Sequence, residues 1–227
     1  MSKVSERARD FLFTPRTYTL AELIADGVVH GIGLVMAMVA GSVLLTLALV
    51  RTAPEAFVPL SVYVGTLVGV LSVSLAFHLW PKGRTKAWLA RFDQAAIFLF
   101  IAGTYTPFLA AAGNAPIADK LLVFVWAGAI VGVALKLLAP RHFGRIAIIF
   151  YLAIGWSGIV AFQTLTATLP PAALWLILAG GVAYSAGIVF HLWERLAFQN
   201  VLWHIFVVIG ASLHLIAIYD VAVISRL

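Results

Sequence analysis

Long apolar runs separated by short polar stretches set the rhythm of this chain. They predict spans at about 27–50, 61–80, 93–112, 121–138, 146–163, 172–193 and 201–223. Each run is close to the length of about 20 residues that lets a helix cross about 30 Å of hydrocarbon, and is too long for a barrel strand. The separators carry turn chemistry. Arg51 to Pro59 holds two prolines, Pro81 to Arg91 is basic, Gly113 to Lys120 is polar, and Pro170-Pro171 closes a weakly polar stretch. Glycines recur inside the runs, Gly128 with Gly132 and Gly180 and Gly181 with Gly187, which predicts close helix contact in lipid. Pro107 falls inside the third run, where a kink is expected, its freed carbonyl satisfied by a neighbour or by Thr104 or Thr106. The fold class that follows is an all-α integral membrane protein, a seven-transmembrane-helix bundle.

Composition agrees with this reading. Hydrophobic residues make up 63% of the 227 residues, charged residues 11%, and the mean hydropathy is +1.05, which excludes an ordinary soluble domain. Residues 1–26 form an N-terminal segment and 27–227 the membrane domain, with no room for a further soluble unit. A net charge of +6 raises the question of nucleic acid, but the fifteen Lys and Arg residues sit between the apolar runs and suit an anionic membrane face instead. Membrane lipids are therefore the expected partners. With the N-terminus in the cytoplasm, only Arg51, Lys120 and Arg226 fall on the far side, and the other twelve of the fifteen fall inside. That bias places the C-terminus outside the cytoplasm, in a cell membrane, by the positive-inside rule. The first run is too long for a cleavable signal and is expected to stay in the protein. The chain has no cysteine, so any metal must be held by His, carboxylate or amide groups.

The same topology sorts the histidines. His30, His78, His142, His191 and His204 all lie at cytoplasmic ends of spans or in inner loops, and His214 lies about 15 Å deeper than His204 by the helical rise. Asp93 opens the third span at the inner face. Ionisable groups in a membrane normally face the bundle interior and mark function, and imidazoles converging with a carboxylate suggest a metal. Plainer readings stand beside this one. His142 and His191 suit interfacial hydrogen bonding, Asp93 suits a helix cap, and Lys136 suits snorkelling to the interface. Glu22, Asp26 and His30, at i, i+4 and i+8, make one polar stripe that reads equally as a solvated face or as the mouth of a site. Ser74 and His78 share a face and suit ordinary interhelical bonding.

Several segments together resemble the hemolysin III family, the bacterial branch of the progestin and adipoQ receptor superfamily. They are LAELIADGVVHGIG from Leu20, SLAFH from Ser74, RFDQAAIFLFIAGTYTPF from Arg91 and WHIFVVIGASLH from Trp203. The resemblance implies a zinc ion (Zn) among a Ser-x-x-x-His closing the second span, an Asp opening the third and a His-x-x-x-His opening the seventh. Ser74, His78, Asp93 and His204 match that pattern, while Asn200 stands where the first histidine of the last pair is expected. An amide is a poor zinc ligand, so His191 or His214 is the expected replacement. His191 is preferred because FHLW closes a span twice, at Phe77–Trp80 and Phe190–Trp193. Two functions are implied. One is a zinc-dependent hydrolase of a lipid amide or ester, ceramidase-like, in a bacterial inner membrane, with Asp93 receiving the proton of the attacking water and Ser74 orienting it or the carbonyl. The alternative is a non-enzymatic membrane protein of lipid homeostasis, signalling or permeabilisation, with a structural metal.

Overall fold

The computed structural model describes residues 18–51, 54–139 and 146–226. Seven helical spans, long and apolar enough to cross a membrane, account for nearly all of them: Leu20–Val50, Glu55–Leu79, Arg84–Ala111, Pro116–Leu138, Ile146–Thr168, Pro171–Leu192 and Gln199–Ala222. They are called here the first to seventh spans. No strand occurs among the described residues. His142 lies outside them.

Sequence neighbours pack side by side from the first to the fourth span and again from the sixth to the seventh, and the seventh also meets the first. The third span touches the second, fourth, fifth and seventh. It is the most buried, at 50% against 17% for the fifth and sixth, and it is the span on which the two apolar cores meet. One core joins the first, second, third, sixth and seventh spans around Leu44, Tyr63, Leu67, Phe100 and Ile218. The other joins the third, fourth and fifth around Phe98, Val125 and Ile154. Valine, leucine and isoleucine side chains on the outside, such as Ile32, Val39 and Ile149, are exposed to what is lipid in a membrane.

In lipid, close packing and interhelical hydrogen bonds do the work that water exclusion does elsewhere. Gly132 shows the first device, since a Cβ there would stand 2.6 Å from the Phe98 ring. Aromatic donors supply the second. Tyr151 bonds the Gln94 carbonyl at 2.7 Å, Trp126 the Thr106 hydroxyl at 3.2 Å and Trp156 the Ser185 hydroxyl at 3.1 Å, each joining two spans.

Four expectations about the elements need correction. The first helix begins at Leu20, so Glu22 and Asp26 are inside it. The second helix begins at Pro54 and takes in Pro59, leaving almost no loop after Arg51. A proline is tolerated in the first turn, and Pro59, in the second turn, removes one backbone donor. Neither threonine serves Pro107 as expected: Thr104 bonds the Phe100 carbonyl and Thr106 the Ala102 carbonyl, both at 2.8 Å, each the residue four positions back. The fifth span is not one helix. It runs as Ile146–Gly155, a 3-10 turn at Ser157–Ala161 and a second helix at Phe162–Thr168. The Tyr105 hydroxyl fills the break, donating to the Gly155 carbonyl at 2.6 Å and accepting from the Gly158 N–H at 2.7 Å.

Candidate metal centre

Three histidines from three spans meet at the end of the bundle where the first, third and seventh spans begin. His30, His78 and His204 each place a ring nitrogen within 4.8 Å of the others. The centroids are 5.0 Å apart for His30–His78, 4.1 Å for His30–His204 and 4.8 Å for His78–His204. Asp26, 2% exposed, lies between them. Its Oδ1 is 2.6 Å from His204 Nδ1, and its Oδ2 is 3.3 Å from His78 Nε2.

Local helix geometry orients two of the rings. His30 Nδ1 is 2.8 Å from the Asp26 carbonyl and His78 Nδ1 is 2.8 Å from the Ser74 carbonyl, each the residue four positions back on its own helix. A carbonyl only accepts, so in both rings Nδ1 carries the proton and Nε2 is a free base turned inward. Metal-binding histidines commonly donate their other ring N–H to a carbonyl or carboxylate in this way. The Ser74 hydroxyl occupies His30 Nε2 at 2.8 Å, and Asp93 lies near that hydroxyl on the third span.

The residues fit a metal ion on chemical grounds. Asp26 Oδ2 is buried and has no hydrogen-bond partner among the described residues, an expensive state for a carboxylate that a cation relieves. Three imidazoles with a carboxylate are borderline-soft N/O donors that suit zinc and other late transition metals. Tetrahedral zinc with bonds of 2.0–2.1 Å needs nitrogens about 3.4 Å apart, so the rings stand near, and slightly wider than, a closed coordination sphere. A narrow opening of about 10 Å³, room for about one water, leads to Asp26 and His78 between Glu22, Asn200 and Phe198.

Of the histidines expected from the sequence, His78 and His204 are brought together and His191 and His214 are not. His191 is exposed, with its ring 5.1 Å from Trp203, and does not join the cluster, whereas His78 of the first FHLW does. His214 is buried between the sixth and seventh spans, where Nε2 meets the Ile177 carbonyl at 3.1 Å. The third imidazole belongs to His30. Its stripe is a buried face, not a solvated one: Glu22 is 6%, Asp26 2% and His30 2% exposed. Glu22 completes a capping box with Thr19, and its other oxygen takes the Phe198 N–H at 2.9 Å, tying the first span to the seventh. Asp93 does not cap its helix, which begins at Arg84, but sits inside it beside Ser74. Lys136 does not snorkel. It is 3% exposed and donates to the Gln94 side chain at 2.6 Å.

A seven-helix membrane protein with a histidine and aspartate cluster buried near one end is the class that fold and site define. The family model described as haemolysin-III related matches residues 19–215, and the chain belongs to that family. It is 34% identical to hemolysin-3 of Bacillus cereus over 88% of this chain and 91% of that protein. It is 32% identical to the hemolysin-3 homolog of Bacillus subtilis (strain 168) over 86% and 92%. The human monocyte to macrophage differentiation factor is 28% identical over 67% of this chain and 66% of its own length, which supports the wider superfamily link.

Proposed function

We propose that the protein is a zinc-dependent membrane hydrolase acting on a lipid amide or ester at the cytoplasmic side. The observation that carries this reading is the set of groups around one point: three imidazoles, the Asp26 carboxylate, and the Ser74 hydroxyl with Asp93 near it. His30, His78 and His204 are the residues that would hold zinc, whose contribution when bound is to polarise a water and a carbonyl. Asp26 fixes the His204 ring through Nδ1 and balances the charge of the centre. Ser74, released from His30 Nε2 when that nitrogen takes a ligand, offers its hydroxyl to a substrate carbonyl. Asp93, near that hydroxyl on the third span, is the group that would receive a proton. The opening beside Asn200 admits a water and excludes a lipid, so a lipid substrate must come from the bilayer side or move the segment at Phe198.

The second reading is a structural metal in a non-enzymatic protein, and Asp26 favours it. With Asp26 as a fourth direct ligand the site is closed, whereas with Asp26 serving only His204 one position stays open. Metal content and X-ray absorption of protein purified without chelators, followed by assays on short-chain ceramides and phospholipids, separate the two. The hydrolase reading expects near-stoichiometric zinc with a water ligand, and hydrolysis that Asp93→Asn abolishes while zinc is kept. Zinc with four protein ligands and no hydrolysis supports the structural reading. Absence of any transition metal ends both.

A further inference from the structure

At mid-bundle, away from the metal centre, three buried polar atoms have no hydrogen-bond partner among the described residues: the hydroxyls of Tyr63 and Tyr184, and His214 Nδ1. Such atoms are costly in hydrocarbon. They converge around Phe100, whose ring is 6.3 Å from Tyr63 and 6.4 Å from Tyr184, with Tyr184 and His214 edge to face at 5.4 Å.

Two glycines make room for these rings. A Cβ at Gly180 would stand 2.4 Å from the His214 imidazole, and a Cβ at Gly210 would stand 2.8 Å from the Tyr184 ring. Tyr184 follows Gly180 by one turn on the sixth span, and His214 follows Gly210 by one turn on the seventh. Each helix therefore offers a notch and, a turn later, a polar ring that fills the notch opposite. Leucine or phenylalanine would fill such notches without stranding a polar atom, so packing alone does not account for tyrosine and histidine here.

The donor pattern names the missing partner. His214 Nε2 faces the Ile177 carbonyl at 3.1 Å, which puts the proton on Nε2 and leaves Nδ1 a bare acceptor. Two hydroxyls and one acceptor complement a molecule that both donates and accepts. We propose that Tyr63, Tyr184 and His214 form a second polar site that holds a water molecule between the sixth, seventh and second spans, donating to Nδ1 and bonded to both phenol oxygens. A buried water typically makes about three such bonds. A metal ion suits the site poorly, because the phenols would have to ionise in hydrocarbon.

Solid-state NMR of the full chain in lipid nanodiscs, with ¹⁵N-labelled histidine and water-edited transfer, tests the proposal. His214 is expected as the neutral Nε2–H tautomer with transfer from water, and Gly180→Ala, which displaces its ring, is expected to abolish that transfer. Tyr63→Phe and Tyr184→Phe are each expected to lower Tm by about 2–4 °C, since each removes a bond that the water makes. Were the site dry, deleting an orphaned hydroxyl would leave Tm unchanged or raise it. No transfer to His214 in the unmodified protein overturns the proposal whatever the variants do, and so does a Tm that neither phenylalanine lowers. A His214 resonance that moves on zinc titration also overturns it in favour of a metal.

Discussion

At the scale of residues, Asp26 organises the candidate metal site, because one carboxylate contacts His204 and His78 while its own main chain fixes His30. Asp26→Asn keeps the shape but removes the charge, so zinc affinity is expected to fall by about 10 to 100-fold, as when a carboxylate that orients a ligand is lost. His30→Ala, His78→Ala and His204→Ala should each lose most of the metal, read by elemental analysis of purified protein, while His191→Ala should keep it. Retention of zinc by His30→Ala would return the site to some other set of ligands. Asn200 lines the opening beside His78 and Asp26, so Asn200→His adds an imidazole at the rim and should slow zinc loss to a chelator. Much of this centre was legible in the sequence, since Ser74, His78, Asp93 and His204 carry the family pattern and Glu22, Asp26 and His30 show helical spacing. What spacing cannot tell is which way a helix face turns. The stripe could be seen, but whether it met water or the second and seventh spans depended on rotation about the helix axis. His191, exposed on the sixth span, is not brought into the cluster, and spacing alone does not show that either. Lys136 failed because the Gln94 side chain that receives it belongs to another span.

At the scale of elements, the broken fifth span depends on a residue of the third. Gaps in a helix at membrane depth leave backbone groups that only protein or enclosed water can satisfy. Tyr105 satisfies one donor and one acceptor with a single hydroxyl. Tyr105→Phe keeps the ring and loses both bonds, and it is expected to destabilise the protein by about 1–2 kcal/mol. Amide exchange should rise at Gly155 to Gly158 and stay unchanged in the second span. The seven spans themselves were readable from apolar length. The break was not, because Gly155-Trp156-Ser157-Gly158 is apolar enough to continue a span and what permits it to open is a tyrosine distant in sequence. Pro59 misled in the opposite sense, reading as loop where the helix absorbs it near its end.

At the scale of the whole molecule, an odd number of spans predicts termini on opposite sides, and the charge pattern predicts which is which. The structure places the candidate metal site at the end where the first, third and seventh spans begin, so the orientation also fixes which leaflet the site serves. Basic residues near span ends resist translocation, and the excess on the N-terminal side, with only Arg51, Lys120 and Arg226 opposed, is large for a chain of 227 residues. A reporter that is active only in the cytoplasm should therefore work when fused ahead of Leu20 or inserted at Pro81–Gly83, and should fail after Leu227. A periplasm-active reporter should give the reverse. The candidate metal site adds a second readout of the same geometry. Because an ion bound only by the folded state stabilises it by mass action, a chelator should lower Tm in detergent, where both faces are open. In sealed right-side-out vesicles, an impermeant chelator added outside should leave the protein stable if the opening by Glu22 and Asn200 faces the cytoplasm. Loss of stability there, together with cytoplasmic activity of the C-terminal fusion, would invert the molecule in the membrane and move the proposed hydrolysis to the outer leaflet.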